Sequence, residues 1–141
     1  MRVLFDTNVV LDVLLERRPH ALPATLLFEH LARRNLQGLL GATTLMTIYY
    51  LAAKAVGAKA ARRHVETLLS LFEVAPVTRV VLADALALGW PDYEDAVLLQ
   101  AARHAGADGL VTRDTAGFKT RQLPIYAPEE LLNRLAATSQ G

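Results

Sequence analysis

The stretch "RVLFDTNVVLDVLLE", residues 2–16, decides the fold. Val3, Leu4 and Phe5 form a short, wholly apolar run, which predicts a strand buried on both faces. Asp6 stops the run, and Thr7 and Asn8 follow before apolar residues resume at Val9. From Val9 to Glu16 the pattern is helical, with Asn8 as its cap. A carboxylate is costly to bury without a partner. Asp6 therefore marks either the exposed lip of a strand or a place where something positive is expected.

The alternation begun there continues along the chain. A helical pattern covers His20 to Asn35, after "RRPH" interrupts the first helix. "GLLGA" reads as a second strand, followed by helices over Thr44–Val56 and Ala58–Leu71 divided at "VGAK". "FEVAP" is a third strand, and "RVVLADALALG" a helix ending at Gly89. Tyr93 to Ala105 form a further helix ended by Gly106. "GLVT" is a fourth strand, "LPIYAP" a short fifth, and "PEELLNRLAA" a last helix with Pro128 in its first turn. Strands separated by helices predict a parallel sheet covered on both faces, with ligands at the carboxyl ends of its strands. Asp6 ends the first strand. Asp114 lies just past the end of the fourth, so the two acids share one edge.

Composition narrows the function classes. The chain has 141 residues and is 52% hydrophobic and 21% charged, which fits one folded α/β domain over residues 1–141. It has no cysteine, which excludes disulfides, thiolate zinc sites and a cysteine nucleophile and fits a reducing cytoplasm. A net charge of +1 does not advertise nucleic-acid binding, yet a local basic patch can coexist with an acidic site. The pairs Arg17-Arg18, Arg33-Arg34 and Arg62-Arg63 read first as solvated helix faces, with phosphate binding as the alternative. Asp6 and Asp12 break the early apolar stretch, so no secretory signal is visible. The uncharged segment from Asn35 to Ala53 approaches the length of a membrane span, but Gly41 divides it into a buried strand and a buried helix, and no membrane role is assigned.

The third acidic piece is "GWPDYEDAVLLQAA". Pro91 helps to start a helix, and Asp92 and Asp95, three apart, share a face of its first turn while Glu94 points elsewhere. Acids at a helix start also suit the helix dipole. If Asp6, Asp95 and Asp114 converge, each like-charge pair at ~4 Å costs about 4 kcal/mol at an effective dielectric of ~20. A cation or shifted pKa values would make such a cluster tolerable. All-oxygen ligands favour Mg²⁺ or Mn²⁺ over zinc, and such an ion suits phosphodiester hydrolysis. No phosphate-binding glycine loop, dinucleotide fingerprint or serine-nucleophile elbow is present. His20, His30, His64 and His104 show no metal-ligand spacing, and the aromatics form no stacking platform for bases.

Three segments, "LFDTNVVLDVLLERRPH", "DYEDAVLLQAA" and "LVTRDTAGF", resemble the PIN-domain family, including its VapC-type toxins, and "YAPEELL" resembles the usual ending. The resemblance implies a three-layer α/β/α domain with a central parallel sheet of about five strands. It also implies a metal-dependent endoribonuclease, cytoplasmic, often a homodimer, and controlled by a protein antitoxin. Residue by residue, Asp6 matches the family's first acid, Asp95 the acid at the helix start and Asp114 the acid after the fourth strand. Asn8 and Thr112 match supporting polar positions, whose plain alternatives are a helix cap and a strand-end hydroxyl. Many members carry a Glu where this chain has Thr47, and Asp92 is the acid placed to compensate, as in a branch of the family with a "DxED" stretch. Arg113 or Lys119 would contact RNA phosphate.

Two further classes compete with this reading. Without the usual Glu, the domain could be an RNA- or protein-binding module of weak or no activity. A phosphoacceptor receiver domain shares the sheet and its acidic edge, but adjacent acids near the first strand and a Lys near the last are both missing here. A haloacid-dehalogenase-type phosphatase would need an acid at Asn8.

Overall fold

The computed structural model describes residues 1–140. Five parallel strands form its centre: β1 (Arg2–Phe5), β2 (Gln37–Gly41), β3 (Phe72–Ala75), β4 (Gly109–Val111) and β5 (Ile125–Tyr126). Seven helices connect or follow them: α1 (Thr7–Leu14), α2 (Ala21–Ala32), α3 (Ala42–Val56), α4 (Ala58–Leu71), α5 (Arg79–Ala87), α6 (Tyr93–His104) and α7 (Pro128–Gln140). The sheet order is β3-β2-β1-β4-β5. The chain builds outward from β1 in one direction and then returns to add β4 on its other side. The connections leaving β1 and β4 therefore diverge, which opens a crevice at their carboxyl ends.

Side-chain alternation explains the layers. In β1, Val3 and Phe5 enter one core and Leu4 the other, and all three are fully buried. Leu40 and Val111 join the first core, Leu39 and Leu110 the second. The first is closed by residues of α1, α2, α3, α4 and α7, including Leu27, Ile48, Leu68 and Leu131. Phe5, Phe28 and Phe72 meet there edge to face, with centroids 5.1–6.1 Å apart. The second is closed by α5 and α6 through Val81, Ala85 and Leu99.

Local chemistry sets the helix ends. Thr78 caps α5 by accepting the Val81 N–H at 3.2 Å, and Asp92 caps α6 by accepting the Asp95 N–H at 3.1 Å. Gly89 and Gly106 lie just beyond α5 and α6 at φ +66° and +72°, a backbone region that glycine enters without strain. At α1 the expectation is corrected. The cap is Asp6, whose carboxylate accepts the Thr7 N–H at 2.7 Å, and Asn8 lies inside the first turn. β1 ends at Phe5, where the apolar run stops, and the first residue able to accept a helical N–H takes the cap. The long uncharged segment is β2 followed by α3, and no helix among the described residues is long and apolar enough to cross a membrane.

Leu110 lies beside Leu4 at the centre of the second core with no solvent exposure. Leu110→Ala is expected to lower the urea midpoint with an unchanged denaturant slope, a loss of about 2–5 kcal/mol. A loss within experimental error would place the core elsewhere.

Candidate metal centre

Three chain segments meet at the carboxyl edge of β1 and β4. Asp6 follows β1, and its own N–H is held by the Val111 carbonyl at 3.0 Å. Only 8% of it is exposed. Its Oδ2 accepts the Thr112 hydroxyl at 2.8 Å, while Oδ1 accepts the Thr7 N–H at 2.7 Å. The Thr112 oxygen in turn accepts the Asp114 N–H at 3.0 Å. Asn8 spans the same junction: its amide nitrogen lies 3.4 Å from Thr112 Oγ1 and 3.5 Å from Asp6 Oδ2, and its oxygen accepts the Arg113 N–H at 3.3 Å. Asn8 and Thr112 therefore hold the acid edge together.

Asp95 enters from the first turn of α6, where it separates two hollows. One, of about 280 Å³, is lined by Asp6, Asn8, Thr47, Glu94, Asp95 and Arg113, among others. The other, of about 390 Å³, is lined by residues that include Trp90, Asp92, Asp95, Asp114, Gly117 and Lys119. A methyl group at Gly117 would lie 2.7 Å from Asp114 Oδ2 and 3.3 Å from Asp95 Oδ2. Glycine thus keeps clear the space that these two carboxylates face. Asp114 also accepts the Gly117 N–H at 3.2 Å, which folds the following turn back beneath it.

The carboxylates interact electrically without closing on one point: among the described residues, no three His, Asp or Glu side chains form a ready-made ligand cage. Burial raises the Asp6 carboxyl above its ordinary range, opposed by the Thr112 and Thr7 hydrogen bonds and reinforced by Asp114 and Asp92. Burial likewise pushes Asp95 from 3.8 up to about 7, with Asp92, Asp6, Asp114 and Glu94 adding repulsion. Carboxylates that are buried and repel one another are ones that a divalent cation would relieve. The donors are all oxygens, and the gap beside Gly117 is free of side chain, so the residues fit a hard ion such as Mg²⁺ or Mn²⁺.

The acids singled out from the sequence therefore lie together, with Thr47 and Arg113 on one side and Lys119 on the other. Asp92 is partly committed, because its Oδ1 caps α6. Glu94 is a correction: it lines the same hollow as Thr47 rather than facing away. The three-residue spacing rule selects Asp92 and Asp95 but ignores the width of the crevice, which receives the neighbouring position as well. The pairing of Asp12 with Arg17 is not legible in the sequence, where Arg17 reads first as part of a solvated helix face. Asp12 is buried and paired with both Arg17 and Arg113. The only sequence signal for it was a charge on the apolar side of α1.

A sequence profile described as the PIN domain matches residues 2–116. No curated protein sequence matches. Among solved structures, VapBC2 from Rickettsia felis, bound to a DNA fragment from its promoter, superposes with a TM-score of 0.72 at 16% identity, covering 90% of this chain and 98% of that one. VapC20 of Mycobacterium tuberculosis, a Sarcin-Ricin loop cleaving toxin, gives 0.67 at 14% identity, covering 86% and 98%. PAE2754 from Pyrobaculum aerophilum gives 0.58 at 25% identity, covering 97% and 90%. The first two likenesses establish the fold.

The raised Asp95 has a consequence for stability. The unfolded chain ionises this group near 3.8, the folded chain only near 7. Stability is therefore lost as pH rises through that window, and the loss is complete above it. In chelator, Asp95→Asn is expected to melt with the wild type below pH ~4 and above it in temperature at pH 8, the gap opening in between. A gap that does not change with pH would remove the assigned environment of Asp95.

Proposed function

Because the chain belongs to the PIN-domain family, we propose that it is a metal-dependent endoribonuclease that hydrolyses RNA phosphodiester bonds as the toxin of a toxin–antitoxin pair. The observation that carries this reading is the electrostatic coupling of Asp95 to both Asp6 and Asp114 at the divergence of β1 and β4, with Gly117 leaving open the space between Asp95 and Asp114. Asp6, Asp95 and Asp114 would hold Mg²⁺ or Mn²⁺, with Asp92 as a fourth acid. The ion, when bound, supplies Lewis acidity that acidifies water and offsets charge on the reacting phosphate.

The chain's own residues do the positioning. Thr112 and Asn8 fix the Asp6 carboxylate, and the Thr112 oxygen fixes the backbone from which Asp114 projects. The α6 cap at Asp92 sets the first turn that carries Asp95. Arg113 and Lys119, which line hollows on opposite sides of Asp95, would receive phosphates on either side of the cut. Hydrolysis adds the oxygen of water to phosphorus in line with the ester bond that breaks, and the leaving oxygen takes up a proton. No side-chain nucleophile is required.

A protein antitoxin and a cytoplasmic setting belong to the same proposal. Several of the matching structures are described as toxin–antitoxin complexes, among them one from Klebsiella pneumoniae at 24% identity. A homodimer is also part of it, supported by Met46 and Tyr50, one turn apart on α3 and each more than half exposed. One observation favours a second reading, an RNA- or protein-binding module of weak activity: Thr47 occupies the wall from which many family members present a Glu.

Purified wild type is expected to cut structured RNA in Mn²⁺ or Mg²⁺ and to stop in chelator, and Asp95→Asn is expected to fall to background. No cleavage by folded, antitoxin-free wild type under either metal would favour the binding module. Titration with Mn²⁺ gives a separate check. Thr47→Glu adds a carboxylate across the hollow and is expected to tighten Mn²⁺ by roughly tenfold or more; unchanged affinity would show that this wall does not face the ion.

A further inference from the structure

Asp12 is a carboxylate with 1% exposure on α1, and two guanidinium groups close on it. Arg17 Nε donates to Oδ1 at 2.9 Å. Arg113 donates Nε to Oδ2 at 2.6 Å and Nη2 to Oδ1 at 3.2 Å. One cation suffices to neutralise one buried acid, so the group carries a net positive charge. That charge lies at the crevice, because both arginines line the hollow that contains Asp6, Glu94 and Asp95. Their side chains remain 39% and 31% exposed.

The two cations are also fixed relative to the acids. Arg17 Nη2 donates to the Asn8 carbonyl at 3.2 Å, and the Arg113 N–H donates to the Asn8 side chain. Asn8 in turn contacts Asp6 and Thr112. Among the described residues, Nη1 of neither arginine has a hydrogen-bond partner. Guanidinium groups match phosphate oxygens in geometry, and their hydrogen bonds to Asp12 remove orientational freedom before any ligand arrives. The carboxylates alone would repel a polyanion, whereas an adjoining fixed cation pair draws it in.

We propose that Arg17, Asp12 and Arg113 form a clamp for an RNA backbone phosphate that flanks the one being cut. Arg17 and Arg113 bind the phosphate, and Asp12 is a positioning residue that orients both. The clamp rests on the ribonuclease reading of the neighbouring acids, but its test is separable from that reading. Binding of a fluorescein-labelled RNA hairpin is measured against salt in the non-cleaving Asp95→Asn background with Mg²⁺. Arg17→Gln is expected to weaken binding and to lower the log–log salt slope by about one. Arg17→Lys keeps the slope and recovers part of the affinity. Arg62→Gln, the same charge change on the exposed surface of remote α4, leaves the slope unchanged. Asp12→Asn keeps both cations and the slope but, with Asp95 restored, raises KM for RNA cleavage more than it lowers kcat.

A purely structural role for the three residues would change melting temperature without moving the slope. If the Asp95→Asn protein binds the hairpin and Arg17→Gln binds it identically at every salt concentration, the clamp is wrong and the nuclease reading stands. If the Asp95→Asn protein does not bind the hairpin, the clamp is overturned, and metal-dependent cleavage by wild type then decides the nuclease reading separately.

Discussion

One hydroxyl joins the two strands on which the acidic edge is built: Thr112 Oγ1 donates to Asp6 at 2.8 Å and accepts the Asp114 N–H at 3.0 Å. The bond is possible only because Phe5 pairs with Val111, which brings the residues that follow each strand side by side. A slip of one residue would turn Val3 and Phe5 out of their core and carry Asp6 away from Thr112. Core packing therefore fixes the register, and the register fixes the chemistry. Loss of the hydroxyl would leave Asp6 buried with less compensation, at a cost of about 1–3 kcal/mol.

Around that junction the protein separates charge into two neighbouring zones. Burial and neighbouring carboxylates raise the pKa of both Asp6 and Asp95, in Asp6 against the hydrogen bonds from Thr112 and Thr7. A few residues away, Asp12 is surrounded by more positive charge than it needs. Neither zone is what a chain selected for stability alone would build, since hydrophobic residues of similar volume commonly do as well as a buried ion pair. The acid excess suits a cation and the guanidinium excess suits an anion, and the two share one crevice.

The fold was legible because strands buried on both faces leave a strong mark in the sequence. "VLF", "GLLG" and "GLV" have no polar interruption, and helical patterns separate them. The acids at Asp6 and Asp114 were legible for a related reason, as polar residues placed where such runs stop. The cap is ambiguous in the sequence because Asp6 and Asn8 are both good cap residues, and only the observed end of β1 chooses between them. Glu94 is not legible as a site residue because helical spacing describes neighbours on one helix and not the breadth of a crevice between elements. Arg113 could be flagged as basic, but its partnership with Asp12 spans 101 positions and has no local pattern. Contacts across the chain are where reading residues in order gives out.

The distance in sequence between the partners at the edge has a consequence for how the protein comes into being. Asp6 and Thr112 are 106 positions apart, and Asp114 comes later still. A growing chain presents Asp6 early, can complete β1 to β3 and their helices, and still lacks the strand that brings the last acid. The crevice is assembled only when β4 docks against β1, after the loop between them has been closed at an entropic cost. Synthesis broken off before that strand would yield a partial sheet without Thr112 and Asp114. In a protein whose proposed activity attacks RNA, the order of the elements delays the complete site until β4 and the acid that follows it have been made.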